Sequence, residues 1–275
     1  MIQMSRAQVV AQINECEKRG EFDKHIDPVD YSMVIPVDEN YHFIKKGFIE
    51  KTKYFFENTF IVRPYTFYLN KIKFKTRING KVNIRGIKAA VVTCNHVNKF
   101  DCLVVKGAIG QKLYVTAAPF NNMKGFLGEM MRAGKMIPLS ESFSGMKKFN
   151  QAIDTLLNKN KFVLFYPEQA MWWYYKKPRP NKNGAFHYAV KNNVPVIPSF
   201  ITFVETGKTG EEGFSQKQFI LNFGKPIYIK PELTARENIE YLKNANFQAW
   251  KEIYETFYSK KLEYAFEKLK KKTTI

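Results

Sequence analysis

From residue 73 onward, short apolar runs alternate with longer stretches whose apolar positions recur at helical spacing. The runs KAAVVTC (88–94), KLYVTAA (112–118), KFVLFYP (161–167), VPVIPSFITF (194–203) and QFILNF (218–223) are rich in β-branched and aromatic residues and predict strands. Between them, residues 145–160 bring Met146, Phe149, Ile153, Leu156 and Leu157 to one helical face. A short helix is expected over 185–191, closed by Asn192 and Asn193. The tail from Thr234 returns to helix, with Ile239, Leu242, Trp250, Ile253 and Phe257 apolar, and its Lys270, Lys271 and Lys272 read as a solvated helix end. Strands alternating with helices imply an α/β sheet covered by helices, a class in which active groups gather where strands end.

The chain before residue 73 is patterned differently. Residues 1–20 predict a helix ending at Gly20, and the polar, proline-punctuated stretch 23–42 is expected to be irregular. Residues 43–72 set Phe48, Ile49, Phe55, Phe56 and Phe60 among lysines, a spacing that fits amphipathic helices broken at Pro64. Such an apolar face has two possible homes, the protein's own body or a membrane surface. The expected organisation is a helical segment over 1–72, a candidate for membrane docking, ahead of an α/β domain over 73–275 with C-terminal helices.

Charge sharpens that picture. Forty-four Lys and Arg against twenty-five Asp and Glu leave a net charge of +19, so an anionic partner is expected: nucleic acid, an anionic membrane surface or an acidic carrier protein. Mixed runs such as Lys53-Tyr54-Phe55-Phe56 suit a membrane interface and also single-stranded nucleic acid. The three cysteines, Cys16, Cys94 and Cys102, lack metal-ligand spacing and point to a reducing cytoplasm. The first residues lack the continuous apolar stretch of a signal peptide, and no run approaches the roughly 20 apolar residues of a spanning helix. The expected location is cytoplasmic, with peripheral attachment to a membrane.

Candidate chemistry centres on TCNHVNKFDCL (93–103). His96 follows an apolar run and so stands at a strand's end. Asn98 is a suitable N-cap, and Phe100, Leu103, Val104 and Gly107 continue at helical spacing. A strand–turn–helix of this kind can fold Asp101 onto His96, fix the imidazole tautomer and leave the second nitrogen free to take a proton from an alcohol. Alone, a histidine and an aspartate five positions apart occur by chance in many chains. Three further features accompany them in order: AGKMIPLSES (133–142), FVLFYPE (162–168) and KNGAFHYAVKNNVPVIP (182–198).

Together these blocks resemble the glycerophospholipid (lysophospholipid) acyltransferase family, whose best-known members acylate 1-acylglycerol 3-phosphate. The resemblance rests on Asn95-His96 with Asp101, on Gly134 with Ile137-Pro138, on Tyr166-Pro167-Glu168, and on Val194-Pro195-Val196-Ile197-Pro198, and spans roughly residues 75–225. It implies a mixed sheet of the glycerol-3-phosphate acyltransferase-like α/β class with an N-terminal helical extension. It implies His96 as general base and Asp101 as its orienting partner, an acyl-CoA or acyl carrier protein co-substrate, no metal and no other cofactor. Asn98, Gly134, Glu168 and Lys182 would then take part in substrate binding.

The departures matter as much. Where the family's third block continues with glycine, threonine and arginine, this chain has Gln169, Ala170 and Met171, and its second block ends in Leu139-Ser140 without an arginine. Two cations suited to a phosphate are thus missing, and Lys176, Lys177, Arg179 and Lys182 are the replacements on offer. The insertion WWYYKKPRP (172–180) suggests that Trp172 and Trp173 form a platform for a sugar-bearing acceptor. A lysophosphatidate, another lysophospholipid, a glycolipid or another lipid-linked alcohol all remain as acceptors. A nucleic-acid-binding protein explains the charge but leaves the ordered blocks as coincidence, so no nucleic acid partner is expected. A catalytically silent lipid-binding scaffold would have no need of both His96 and Asp101. His25, His42 and His187 have no partner at ligand spacing and read as structural or solvated, and Cys94 and Cys102 read as packing residues.

Overall fold

The computed structural model describes residues 4–45 and 47–267. Its centre is a seven-stranded mixed sheet made of β1 (Arg77–Asn79), β2 (Ala90–Thr93), β3 (Leu113–Ala117), β4 (Met136–Pro138), β5 (Phe162–Phe165), β6 (Val196–Thr209) and β7 (Ser215–Phe223). The strand order is β1-β7-β6-β2-β5-β3-β4, and every neighbouring pair is parallel except the β6–β7 hairpin. The register aligns Val92 with Leu164 and Ile197, so β2, β5 and β6 deliver their carboxyl ends to one edge. All five runs predicted as strands contain one. The three-residue β1 carries no run of its own and exists because β7 offers it a parallel edge.

Helices cover both faces. α1 (Arg6–Arg19) begins at a capping box between Ser5 and Gln8 and ends at Gly20, whose φ of 74° suits glycine. α2 (Phe48–Glu57) runs through a π-helical turn (Asn58–Val62) into α3 (Arg63–Tyr68) and a second such turn (Leu69–Lys73). α4 (Asp101–Ile109), α5 (Gly125–Ala133), α6 (Phe143–Asn158), α7 (Gly184–Lys191) and α8 (Ala235–Tyr258) complete the set. Alternating side chains split the core across the sheet. Val92, Leu164 and Ile197 meet Val104 and Val105 of α4 on one side, while Val91, Val163 and Val196 meet Phe149, Ile153, Phe186 and Leu242 on the other.

The N-terminal region differs from expectation at one residue. Pro64 does not break the helix. Arg63 N–H reaches back five residues to the Asn58 carbonyl, and this widened turn accommodates the proline ring within continuous helical backbone. Contacts cross the boundary expected at 72/73. Leu69 belongs to the core on the α4 side, Asn58 Nδ2 donates to the Ala133 carbonyl (2.7 Å), and α1 packs on Trp172, Trp173 and Tyr264. The outer face of α2 and α3 stays in solvent, with Phe48 83% and Ile49 85% exposed and Phe55, Phe56, Phe60, Phe67 and Ile72 also outside. Phe126 and Leu127 of α5, which packs against α2, are exposed too. Lys270–Lys272 lie outside the described residues. No helix among the described residues is long and apolar enough to cross a membrane.

Candidate active site

β2 ends at Thr93, and the next seven residues form a turn held by side chains rather than by regular structure. Asn95 anchors it from below, donating to the Ile201 carbonyl (3.0 Å) and accepting from the Ile201 N–H (2.7 Å). Asp101, the first residue of α4, is fully buried and turns back over the loop. Its Oδ2 accepts from Val97 N–H (2.7 Å), from Asn98 N–H (2.9 Å) and from His96 Nδ1 (3.0 Å). A carboxylate only accepts, so Nδ1 donates here, and in the neutral ring that tautomer places the lone pair on Nε2. Burial pushes the Asp101 carboxyl above the ordinary carboxylate range, opposed by these bonds. The His96 side chain is 23% exposed and stacks on Tyr166 at 4.1 Å. The pair expected from the sequence is therefore assembled, at the carboxyl end of the central strands.

Asn98 takes a different place from the one expected. α4 starts at Asp101 after Phe100, and Asn98 Oδ1 accepts the Phe100 N–H (3.0 Å) inside the turn, so the residue shapes the loop and does not cap the helix. Glu168 is likewise spent on the protein. Its two oxygens accept His96 N–H (3.0 Å) and Arg179 N–H (2.8 Å), and Oε2 pairs with Arg179 Nη2 at 2.7 Å, both side chains being 1% exposed. The same guanidinium donates to the carbonyls of Phe22 (2.9 Å) and Ala170 (2.5 Å). Gly134 ends α5 and is aligned with Ala90, at the entering end of the strands, whereas His96 stands beyond the leaving end.

Trp172 and Trp173 form no platform. Both are buried, because α1 and residues 22–26 supply an apolar bed that the sequence did not advertise. Trp172 N–H donates to the His96 carbonyl (3.0 Å), Tyr174 N–H to the Val97 carbonyl (2.8 Å), and Trp172 Nε1 to the Lys24 carbonyl (2.9 Å). WWYYKKPRP is thus a buttress that clamps the His96 loop from behind. Gln169 keeps a left-handed φ of 68° where the family pattern has glycine, so the bend survives the substitution at a steric cost. The replacement cations are engaged as well. Lys177 pairs with Glu17, Lys182 with Asp23 at 2.7 Å on the surface, and Lys176 lies over the rings of Phe203 and Tyr258.

His25, read from sequence as structural or solvated, is near the site. The strap 22–39 is tied to Trp172 at Lys24, to Asn122 at Ile35 and to Ser140 at Val37, crossing the leaving ends of β5, β3 and β4. His25 meets Phe120 edge to face at 5.5 Å, and burial, with the charges of His96 and Arg179, lowers its proton affinity. Nothing in the local pattern could reveal this, since the contacts lie about a hundred residues away. Cys94 is buried in the core, as expected.

Residues 75–202 match the family model described as acyltransferase. A protein of Schizosaccharomyces pombe described as an uncharacterised acyltransferase is 28% identical over 131 residues, 46% of this chain and 47% of that protein. The chain thus spans about half the length of that relative. The crystal structure of the 1-acyl-sn-glycerophosphate acyltransferase PlsC from Thermotoga maritima superposes with a TM-score of 0.50 over 74% of this chain and 88% of that one. The two are 16% identical, and the likeness is one of fold.

Proposed function

We propose that the protein moves a fatty acyl group from a thioester to a lipid hydroxyl, with His96 as general base, a reading supported by the match of residues 75–202 to the acyltransferase family model. The observation that carries this reading is the 3.0 Å bond between His96 Nδ1 and a buried Asp101, which commits Nδ1 to the carboxylate and leaves Nε2 as the nitrogen without a protein partner in this pair, on a partly exposed ring. In the reaction, Nε2 takes the acceptor's hydroxyl proton as the oxygen attacks the thioester carbonyl. The new C–O bond forms, the C–S bond breaks, and the leaving thiolate recovers the proton from the imidazolium. Asp101 stabilises the imidazolium between those two transfers. The donor is acyl-CoA or acyl carrier protein, and the acceptor a lysophospholipid, lysophosphatidate, glycolipid or other lipid-linked alcohol.

The substrates are collected at an anionic membrane surface. The exposed apolar face of α2 and α3, continued by Phe126 and Leu127, supports this, because scattered single residues are ordinary but a contiguous aromatic face is not. Lysines 51, 53, 71 and 73 lie on the same helical run, matching an anionic leaflet. The test is an incubation of the full chain with a radiolabelled acyl thioester and anionic liposomes carrying each candidate acceptor. The reading expects labelled ester and free thiol in equal amounts with at least one acceptor. Thiol release without ester, or neither product with any acceptor, refutes it.

A further inference from the structure

We propose that Tyr166 is a positioning residue for acyl transfer, its ring face seating the His96 imidazole and stabilising that imidazole in its protonated form. The proposal rests on the acyl-transfer reading above and gives the charge formed at that site a second support beside Asp101. The two rings stack with centroids 4.1 Å apart and planes 20° from parallel. The Tyr166 hydroxyl is buried and bonds to no group among the described residues, so its contact with His96 is made by the ring face alone. Backbone pairing fixes where that ring lies. The register pairs Thr93 with Phe165, so Tyr166 is the first residue beyond β5 and stands beside the chain leaving β2. Cys94 N–H donates to the Phe165 carbonyl (3.1 Å), His96 N–H to Glu168 (3.0 Å) and Gln169 N–H to the Tyr166 carbonyl (3.0 Å). Tyr166 also packs against the core on the α4 side.

The bond from Nδ1 to Asp101 fixes one point of the imidazole but leaves the ring free to rock about it. A second ring laid flat against it removes that freedom on one face and so sets where Nε2 points. The electrostatic part follows from the reaction. Taking the acceptor's proton makes His96 a cation, and the Asp101 oxygen that faces it also accepts two backbone N–H groups. An aromatic face carries negative charge and attracts a cation within about 6 Å of its centroid. An imidazolium gains more from that face than a neutral imidazole, so the stack favours the state that exists between the two proton transfers. Burial, followed by the charges of Cys102, Asp101 and Cys94, pushes the Tyr166 phenol well above its ordinary range, so the ring that His96 meets stays neutral.

The test uses the full chain and the single-turnover rate of ester formation from a labelled acyl thioester, with donor and acceptor both saturating. Tyr166→Phe is the reference, compared with Tyr166→Leu and with increasingly fluorinated phenylalanines at position 166. Fluorine nearly keeps the ring's shape and drains negative charge from its face. The rate should fall in order of fluorine content, and Tyr166→Leu should be slower than the reference by about two- to thirtyfold. The half-saturating concentrations of both substrates should not move. A rate indifferent to fluorination overturns the proposal even where Tyr166→Leu is slow or fails to fold, because the ring then serves packing alone. A change confined to substrate affinity also overturns it, placing Tyr166 on the substrate. Wild type that transfers to no acceptor defeats the underlying reading, whereas full transfer at a fluorine-independent rate defeats this proposal alone.

Discussion

Replacing Arg179 by methionine tests whether the buttress holds the His96 loop. The guanidinium is buried, and it bonds Glu168 Oε2 at 2.7 Å together with the carbonyls of Phe22 and Ala170. Methionine fills similar volume but leaves Glu168 as an uncompensated charge in a site 1% exposed. Breaking a buried pair from one side costs about 3–5 kcal/mol. For a chain of this size that corresponds to a fall in Tm of roughly 5–9 °C. Glu168 also accepts the His96 N–H, so transfer activity at a temperature where the variant remains folded should drop as well. The assay is urea unfolding followed by circular dichroism, run beside Glu168→Gln and the Glu168→Gln/Arg179→Met double variant. Removing both charges should restore part of the loss, giving a coupling of at least about 1 kcal/mol. An Arg179→Met protein within about 1 kcal/mol of wild type, or strictly additive variants, would refute the reasoning.

Three more outcomes follow from the same geometry. Trp172→Ala should lower unfolding free energy by about 3–5 kcal/mol in the same urea assay, because the indole is buried; a selective loss of acceptor affinity at full stability would restore the platform. Burial lowers the pKa of Lys106 to about 7, so between there and the unfolded value of about 10.4 the unfolded chain binds a proton that the native state does not. Stability should therefore rise with pH across that window, by up to about 1.4 kcal/mol per unit, and Lys106→Met should remove the slope; identical slopes in both proteins would contradict this. Changing Phe55, Phe56 and Phe60 together to Ser should cut binding to anionic vesicles at least about tenfold and leave Tm within a few degrees, since all three rings are exposed. Co-sedimentation reads the first effect and thermal unfolding the second.

What the chain reveals in one dimension follows the range of its contacts. His96 and Asp101 are five residues apart, and their pairing needs only a strand end, a turn and a helix start, so local pattern suffices. The strand cores are legible because Val91 and Val92 must enter opposite halves of the interior. Trp172 looks like a surface platform in sequence because the Lys24 carbonyl that receives its indole proton lies 148 positions away. Arg179 looks like a free cation for the same reason, its partner Glu168 being near in sequence but its Phe22 contact 157 positions distant. Gly134 satisfies a motif yet falls at the opposite end of the sheet from His96, which only strand register can disclose. Pro64 misleads because a π-helical turn, not a break, absorbs its ring.

The most direct test of the central claim is the single-turnover rate of acyl transfer from a labelled thioester by His96→Ala against wild type, on identical liposomes. A missing general base should slow ester formation by at least about a hundredfold while membrane binding stays intact. Equal rates in the two proteins would mean that the imidazole held by Asp101 takes no proton from the acceptor.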